Sequence, residues 1–540
     1  MASFVAAAAL LTPVAMSQAE PTSPTSPAAS DRRSGPAPGY TPPAPEWGPC
    51  DNPRLAEIDA ECGMLVVPLD WSKPQGRKIK MAVSRKVATD PDRKGMLAVN
   101  PGGPGGSGLI YPLLAGAIPD GVGHKYDWYG FDPRGVGSSE PALSCNPNYR
   151  GAGYDRPNYV PKRKADERWW KRTTRRYARA CGRSEAKRLL PHMKTVDVAK
   201  DLDALRRAVG EEKLNYLGFS YGTYLGQVYA TLFPKKVGRF IWDGVLDADK
   251  AFYESNLGQN VQFDKNMNVY WRYLAKRDAH FGLGSDWRAI RKGYYRQLRK
   301  LDRKPKAEGK LGPNELNDAM LTAGYYVNYW VEIGEAYAAL VKDGDGAPIL
   351  DWYGGPGDDN GFAVYLGVQC TDAQWPDWKK TRADAVRLHK KHPFLTWNNT
   401  WYNRPCIDWP AASRKAIDVK GKRVKAPILL ISETKDAATP YSGALATRRE
   451  FPSSFLVEGV GGTTHSGSLS GIACVDDTIA AYLDTGVLPT RKRGANRSDK
   501  QCDPVPAPEP SAPEGFRGAP ADRLPAVIRE ALREAQMTGR

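Results

Sequence analysis

Residues 214–234 read LNYLGFSYGTYLGQVYATLFP, and the fold turns on how this stretch divides. LNYLGF (214–219) is a short apolar and aromatic run suited to a buried strand. GTYLGQVYATLFP (222–234) has small and apolar residues at helical spacing and stops at a proline. Between them stands Gly218-Phe219-Ser220-Tyr221-Gly222. A GxSxG string is weak evidence alone. Placed between a strand and a helix it gains force, because a sharp strand-to-helix turn needs glycines where backbones approach closely and lifts the serine hydroxyl above the sheet. The plainer reading is a small-residue turn with a capping serine.

Working outward, more strands are marked by apolar and β-branched runs between turn residues: 62–71, 77–87, 96–100 and 126–132 upstream, then 239–244, 426–432 and 454–459 downstream. A helix pattern at 196–210 and another at 441–450 fall between them. Alternating strands and helices predict a mostly parallel sheet covered on both faces, with its chemistry in loops at the carboxyl ends of strands. The alternation breaks over 246–420, a stretch rich in Tyr, Trp and helix formers. One sheet domain in two parts, 46–245 and 421–505, with a helical cap at 246–420 inserted between them, is the economical division. A Pro-rich linker and an amphipathic helix (506–540) close the chain.

The chain has 540 residues, 41% hydrophobic and 25% charged, which excludes a disordered or fibrous protein and allows a sizeable core. Residues 4–16, FVAAAALLTPVAM, have signal-peptide length, with cleavage expected before Glu20; the front end MASF lacks the usual cation, and a buried N-terminal helix is the alternative. Residues 20–45 are a Pro/Ser/Ala-rich linker. No apolar run reaches the ~18 residues a membrane span needs, so no stable membrane insertion is expected. The 8 cysteines form no CxxC pair, and no histidine is spaced for zinc, so no metal and no cofactor is expected. Sequential pairing is the simplest arrangement: Cys50–Cys62, Cys145–Cys181, Cys370–Cys406 and Cys474–Cys502. Such bridges belong to a secreted, extracellular or wall-associated protein, against the alternative of eight buried thiols in a reducing cytosol.

Lys and Arg outnumber Asp and Glu by 77 to 60, a formal +17. The densest basic stretch, PKRKADERWWKRTTRRYARACG (161–182), mixes acids and aromatics with its cations and carries no base-reading motif. It reads as a solvated helix beside a disulfide, with a polyanion site as the alternative. No nucleic-acid partner is expected; loose association with acidic cell-wall polymers is compatible with the charge, and the chain is expected to act as a monomer.

A serine hydroxyl needs a base. Of the 6 histidines, His465 alone follows the last strand, in the flexible loop EGVGGTTHSG. An acid should precede it in chain order. Asp436, in the loop after ILLIS, is the first choice, with Asp243 at the end of RFIWDG and Glu433 as rivals. An oxyanion needs two donors. Tyr221 N–H is one, and Gly103, in NPGGPGGSG (100–108), is the choice for the other. No GK[ST] follows that loop, so a phosphate-binding role is excluded. The loop DPRGVGSS (132–139) is placed to brace it through Asp132 or Arg134. These parts specify acyl transfer to water.

Taken together, NPGGPGGSG, DPRGVGSS, the run around GFSYG, DGVLD, KDAATP and GGTTHSG resemble the secreted tripeptidyl aminopeptidases of mycelial actinobacteria, in the prolyl-aminopeptidase group of α/β-hydrolase serine peptidases. The resemblance spans about 46–505 and implies an α/β-hydrolase fold with the triad Ser220, Asp436 and His465. The glycine-rich loop is similar to the HGGPG loop of prolyl aminopeptidases, with Pro101 in place of the histidine. The resemblance also implies release of short peptides, tripeptides foremost, from a free N-terminus whose ammonium is read by carboxylates of the cap. Glu332 and Glu335, one turn apart in an aromatic helix, and Asp372, just after Cys370, are the candidates. Hydrolysis of small-molecule esters or amides is the alternative use of the same parts.

Overall fold

The structure, a computed structural model, describes residues 40–149, 156–355, 357–494 and 496–510. The expected signal peptide, most of the linker after it and the C-terminal helix lie outside these residues. Ten strands form one sheet: β1 (Gly48–Pro49), β2 (Glu61–Pro68), β3 (Lys78–Lys86), β4 (Met96–Asn100), β5 (Asp127–Phe131), β6 (Leu214–Phe219), β7 (Val237–Asp243), β8 (Ile428–Glu433), β9 (Ser454–Gly459) and β10 (Lys500–Cys502). Their spatial order is β1-β2-β3-β5-β4-β6-β7-β8-β9-β10. The first three ladders, β1 with β2, β2 with β3 and β3 with β5, are antiparallel, and the rest are parallel.

The central strands β4, β5 and β8 are buried along their whole length, as expected where both faces are covered. Successive side chains divide between two cores. Met96, Ala98 and Tyr216 join one with the helices α2 (Thr195–Ala208) and α3 (Tyr221–Leu232), which follow α1 (Lys164–Cys181) in the chain. Leu97, Val99 and Leu217 join the other, with Ile479 and Leu483 of a late helix, Ala473–Thr485.

From β4 the chain crosses to β5 on one side and later returns to β6 on the other, so the topological switch lies between β4 and β6. Ligands of such sheets bind outside the strand ends at that switch. Its register pairs Asn100 with Gly218, which sets the glycine-rich loop directly beside the GxSxG turn.

Between β7 and β8 the described chain is helical: α4 (Tyr253–Lys276), α5 (Trp287–Arg303), α6 (Pro313–Tyr325), α7 (Trp330–Lys342), α8 (Asp359–Asp372), α9 (Trp378–His389) and α10 (Thr396–Asn403), with shorter pieces between them. A separate core of Phe263, Tyr270, Trp271, Tyr294, Met320 and Trp330 holds much of this insertion together. Residues 156–181, which the sequence assigns to the first part of the sheet domain, instead pack against the insertion. Trp170 stacks on Trp401 at 5.7 Å, and Arg156 Nη2 donates to Glu315 at 2.6 Å. Burying two indoles together outweighs chain order, and partners more than two hundred residues apart leave no local pattern.

The two edge strands, too short to announce themselves in sequence, are each held near a disulfide. Cys50–Cys62 ties β1 to β2, and Cys474–Cys502 ties β10 to the late helix. Cys145–Cys181 anchors the end of α1, and Cys370–Cys406 joins α8 to the turn after α10. Short, covered edges resist strand addition from other chains.

Beneath the sheet's first crossover, Arg134 is fully buried and donates twice to Asp201 (2.6 and 2.7 Å), to Leu69 O (2.9 Å), His192 O (2.8 Å) and Pro68 O (3.2 Å). Trp71 Nε1 completes the Asp201 shell at 2.8 Å. Removing the cation strands a buried carboxylate and three carbonyls. Arg134→Ala is therefore expected to lower the unfolding free energy by about 3–5 kcal/mol, read from urea denaturation.

Candidate active site

Ser220 sits at φ 54° and ψ −121°, a conformation that a non-glycine residue holds only under constraint. The constraint is visible. Ser220 N–H donates to Asp243 O at 2.9 Å across β6 and β7. A Cβ on Gly222 would lie 2.6 Å from Asn100 O, and one on Gly102 would lie 2.5 Å from Phe219 O and 3.0 Å from Ser220 Cβ. The glycine-rich loop and the turn thus meet backbone to backbone, with no room for side chains between them.

His465, 6% exposed, lies in the loop after β9. Its Nδ1 is 2.8 Å from Asp436 Oδ2, in the loop after β8. Asp436 is fully buried and also accepts from Ala438 N (2.8 Å), Thr439 N (3.0 Å) and Thr439 Oγ1 (2.7 Å). A carboxylate only accepts, so Nδ1 carries the imidazole proton and Nε2 is the basic nitrogen. From the insertion, Tyr325 O accepts the His465 N–H at 2.8 Å, and the Tyr325 ring meets the imidazole edge-on at 5.8 Å.

The rival acids hold the loop rather than the ring. Asp243 Oδ2 accepts from Ser468 N at 2.7 Å and Ser468 Oγ at 2.5 Å; burial pushes its carboxyl up to about 6, and the two Ser468 donors draw it back. Glu433 Oε1 accepts from Val505 N at 3.2 Å, and its carboxyl is packed against Gly462, where a Cβ would fall 1.0 Å from Oε2. The glycines of the histidine loop therefore make room for a buried acid, which sequence reasoning credited to loop flexibility alone.

The glycine-rich loop is braced as the sequence suggests, by Asp132. Its Oδ1 accepts from Ser107 Oγ (2.6 Å) and Gly108 N (3.1 Å), and its Oδ2 from Ser138 N (2.8 Å). Gly102 N–H is spent on Asn100 Oδ1 at 3.1 Å, which leaves Gly103 N–H as the next donor along the loop. Gly103, Tyr221, Ser220 and His465 all line one cavity of about 400 Å³, within the ~300–1,000 Å³ of small-molecule sites.

The three acids expected to read an ammonium do not line it. Glu335 pairs with His280 Nε2 at 2.8 Å on the surface. Glu332, on the same first stretch of α7, lies near the ring hydroxyls of Tyr270 and Tyr273. The helix turns its Trp330 side into the insertion's core, and neither acid reaches the cavity wall. Asp372 runs beneath the GxSxG turn instead. Its Oδ1 accepts from Thr195 N at 3.1 Å, its Oδ2 from Thr195 Oγ1, and Thr195 Oγ1 lies 2.7 Å from Tyr221 OH. Burial pushes the Asp372 carboxyl up to about 7, and the Thr195 donors draw it back.

The cavity's acids are Asp318 and Asp358, which sequence reasoning missed. Asp318 accepts from Tyr159 OH (2.9 Å) and Asn398 Nδ2 (2.8 Å), and Arg156 lies between it (3.4 Å) and Glu315 (2.6 Å). Asp358 caps α8 through Gly361 N at 2.9 Å. No local motif marks either; a tertiary cavity selects them. Tyr325 and Tyr326, at the end of α6, line the cavity, while Trp330 is core.

Glu433 offers a measurable consequence of this packing. Burial is the main force pushing its carboxyl up to about 8 from 4.5; the Val505 N–H opposes it, and the charges of Asp243 and Asp436 add to it. The folded protein then holds a proton that the unfolded chain releases, so this contribution to stability is whole below about pH 4.5 and is lost as the pH rises through about 8. Glu433→Gln is expected to flatten the fall in unfolding free energy between pH 5 and 8, measured by chemical denaturation across that range.

A family model described as TAP-like protein matches residues 392–502, which carry β8, β9, Asp436 and His465. The tripeptidyl aminopeptidase of Streptomyces coelicolor is 37% identical over 482 residues, covering 86% of this chain and 87% of that one. Serine protease Hip1 of Mycobacterium tuberculosis is 32% identical, covering 82% and 89%, and carboxylesterase B of the same organism is 30% identical, covering 84% and 91%. Such identity over nearly the whole chain, on a mostly parallel sheet with a strained GxSxG turn, means that this protein belongs to the tripeptidyl aminopeptidase family, serine hydrolases of the α/β-hydrolase fold.

Proposed function

We propose that this protein is a secreted serine exopeptidase that releases short peptides, tripeptides foremost, from the free N-terminus of peptide substrates. The observation that carries the reading is the shared cavity of Ser220, on its strained turn, and His465, whose Nδ1 is bonded to the buried Asp436. In the reaction His465 Nε2 takes the Ser220 proton as Oγ attacks the scissile carbonyl. The N–H groups of Tyr221 and Gly103 receive the oxyanion, and Asp436 steadies the imidazolium. His465 then gives its proton to the leaving amine. Water, deprotonated by the same nitrogen, attacks the acyl-enzyme, and the proton returns to Ser220 as the new carboxyl leaves.

A free ammonium is read by Asp318, with Asp358 as a second acid on the wall, in place of Glu332, Glu335 and Asp372. Arg156 between Asp318 and Glu315 makes one cation against two carboxylates, and a substrate ammonium would neutralise the remainder. A cavity of about 400 Å³, walled in part by helices of the insertion, suits a short segment, which favours an exopeptidase. The four disulfides support action outside the reducing cytosol.

Ester hydrolysis is the second reading, favoured by the likeness to carboxylesterase B. A free-amine requirement separates the two. Mass spectrometry of products from matched free and N-acetylated peptides should show cleavage near the N-terminus of the free set and loss of turnover in the blocked set; equal turnover of both would overturn the exopeptidase reading.

Two variants sharpen this. Ser220→Ala should lower kcat by about 10⁴-fold or more and abolish labelling by an organophosphonate. Asp318→Asn should lower kcat/KM on free-amine peptides by about 10–100-fold, while hydrolysis of a small activated ester changes little.

A further inference from the structure

In one dimension the basic stretch 161–182 looks mixed, because Asp166, Glu167, Trp169 and Trp170 interrupt its cations. Folded as α1 it sorts itself. Asp166 and Trp170 are buried. Glu167 is drawn aside to Arg382 Nε (2.9 Å) and Trp378 Nε1 (3.0 Å). The buried side is firmly held: Tyr177 OH donates to Asp359 (2.7 Å), Arg404 Nη1 donates to Thr174 Oγ1 (3.0 Å), and Cys181 is bonded to Cys145. What remains outside is a stripe of cations, and a cleft of about 420 Å³ is lined by Arg168, Lys171, Arg172, Arg175, Arg176 and Arg179.

This stripe is electrostatically strained. The pairs 168/172, 171/175, 172/176 and 175/179 set like charges one turn apart, which disfavours the helix. In α2 and α9 acids relieve such crowding: Asp203 accepts from Arg206 and Arg207, and Asp384 from Lys380 and Arg387. On the α1 stripe, Arg175 pairs with Asp408 at 3.0 Å, and the other five make no ion pair among the described residues. Along the axis the stripe runs ~16 Å, at 1.5 Å per residue.

We propose that the outer face of α1 docks a linear extracellular polymer of the polyol-phosphate kind, whose phosphates repeat along a flexible chain. Five of the six cations are arginines, whose planar forks meet phosphate oxygens two at a time. A row of charges fits a chain of anions better than a single one. Single-stranded nucleic acid sites interleave cations with aromatic platforms for the bases. Here Trp169 is turned edge-on against Trp170 at 5.0 Å. A bilayer would need apolar residues beside the cations. Among the described residues the exposed large hydrophobics are Val87, Val341, Val460 and Val487, none of them on α1. The bridging disulfides place the partner outside the cytosol. This docking is independent of the hydrolytic reading, since no residue of the stripe lines the Ser220 cavity.

The test is a fluorescence-anisotropy titration of labelled, lipid-free poly(glycerol phosphate) with the full-length protein at rising salt. Neutralising six phosphates predicts that log affinity falls against log salt with a slope of about −4. Arg172→Glu with Arg176→Glu should weaken binding at least about 30-fold, and Arg172→Gln with Arg176→Gln about 10-fold, both with unchanged peptide hydrolysis and an unfolding midpoint at or above that of the parent. Reversing Lys73 and Lys390, for the same change in net charge, should leave affinity within about twofold. Equal loss in that control would overturn the proposal. So would competition by orthophosphate at matched phosphate concentration, or tighter binding to single-stranded DNA or anionic vesicles.

Discussion

The protein's chemistry depends on one close approach of backbone to backbone. β4 and β6 are neighbours at the switch of the sheet, and their register pairs Asn100 with Gly218. Beyond those ends, the glycine-rich loop and the GxSxG turn press together so tightly that a methyl group at Gly102 would meet Phe219 O at 2.5 Å. This contact meets Ser220 at its positive φ and brings Gly103 and Tyr221 onto the lining of the same cavity. A side chain in the seam would push the glycine-rich loop away from the Ser220 turn. Asp132 matters for the same reason: its carboxylate gathers Ser107, Gly108 and Ser138, so the loop is fixed from behind.

Around that seam the rest of the molecule acts as a set of ties. The histidine loop is held on three sides. Asp243 grips Ser468 from β7, Glu433 fills the space its glycines leave, and Tyr325 O takes the His465 N–H from the helical insertion. The last described segment adds another tie. Val505 N–H meets Glu433, Tyr273 OH donates to Pro508 O at 2.7 Å, and Arg277 pairs with Glu509. A single strand of chain thereby links the sheet edge to α4. Asp372 and Thr195 join α8, a wall of the cavity, to Tyr221 under the turn. Insertion and sheet share their hydrogen bonds at the residues nearest the reacting atoms.

The charge on α1 illustrates a general difference between a string and a surface. Composition counts every Arg and Glu along a stretch equally. A helix separates them by angle, so the acids of α1 went to the buried side and to a neighbouring element, and the arginines were left in a row. Mixed sequence became unmixed surface, because the period of the charges matches the period of the helix.

Much of the architecture was legible in the chain because it is written locally. An apolar run next to a glycine-serine turn next to a helix specifies its own geometry, and the order serine, acid, histidine singles out Ser220 and His465 as candidates; Asp436 is separated from its rivals Asp243 and Glu433 only by its 2.8 Å contact with His465 Nδ1. Local excursions closed by neighbouring cysteines made the pairing readable as well. The walls of the cavity were different. Asp318 and Asp358 come from separate helices of the insertion, and Arg156, 3.4 Å from Asp318, arrives from before the turn itself. Glu332, Glu335 and Asp372 looked equally suitable in sequence, yet helix rotation sent two toward solvent and core and one beneath the turn. Which face of a helix meets a cleft depends on packing summed over contacts hundreds of residues apart. So the chain alone nominated the candidate serine and histidine, and only the assembled fold decided which acid meets the histidine and what surrounds them.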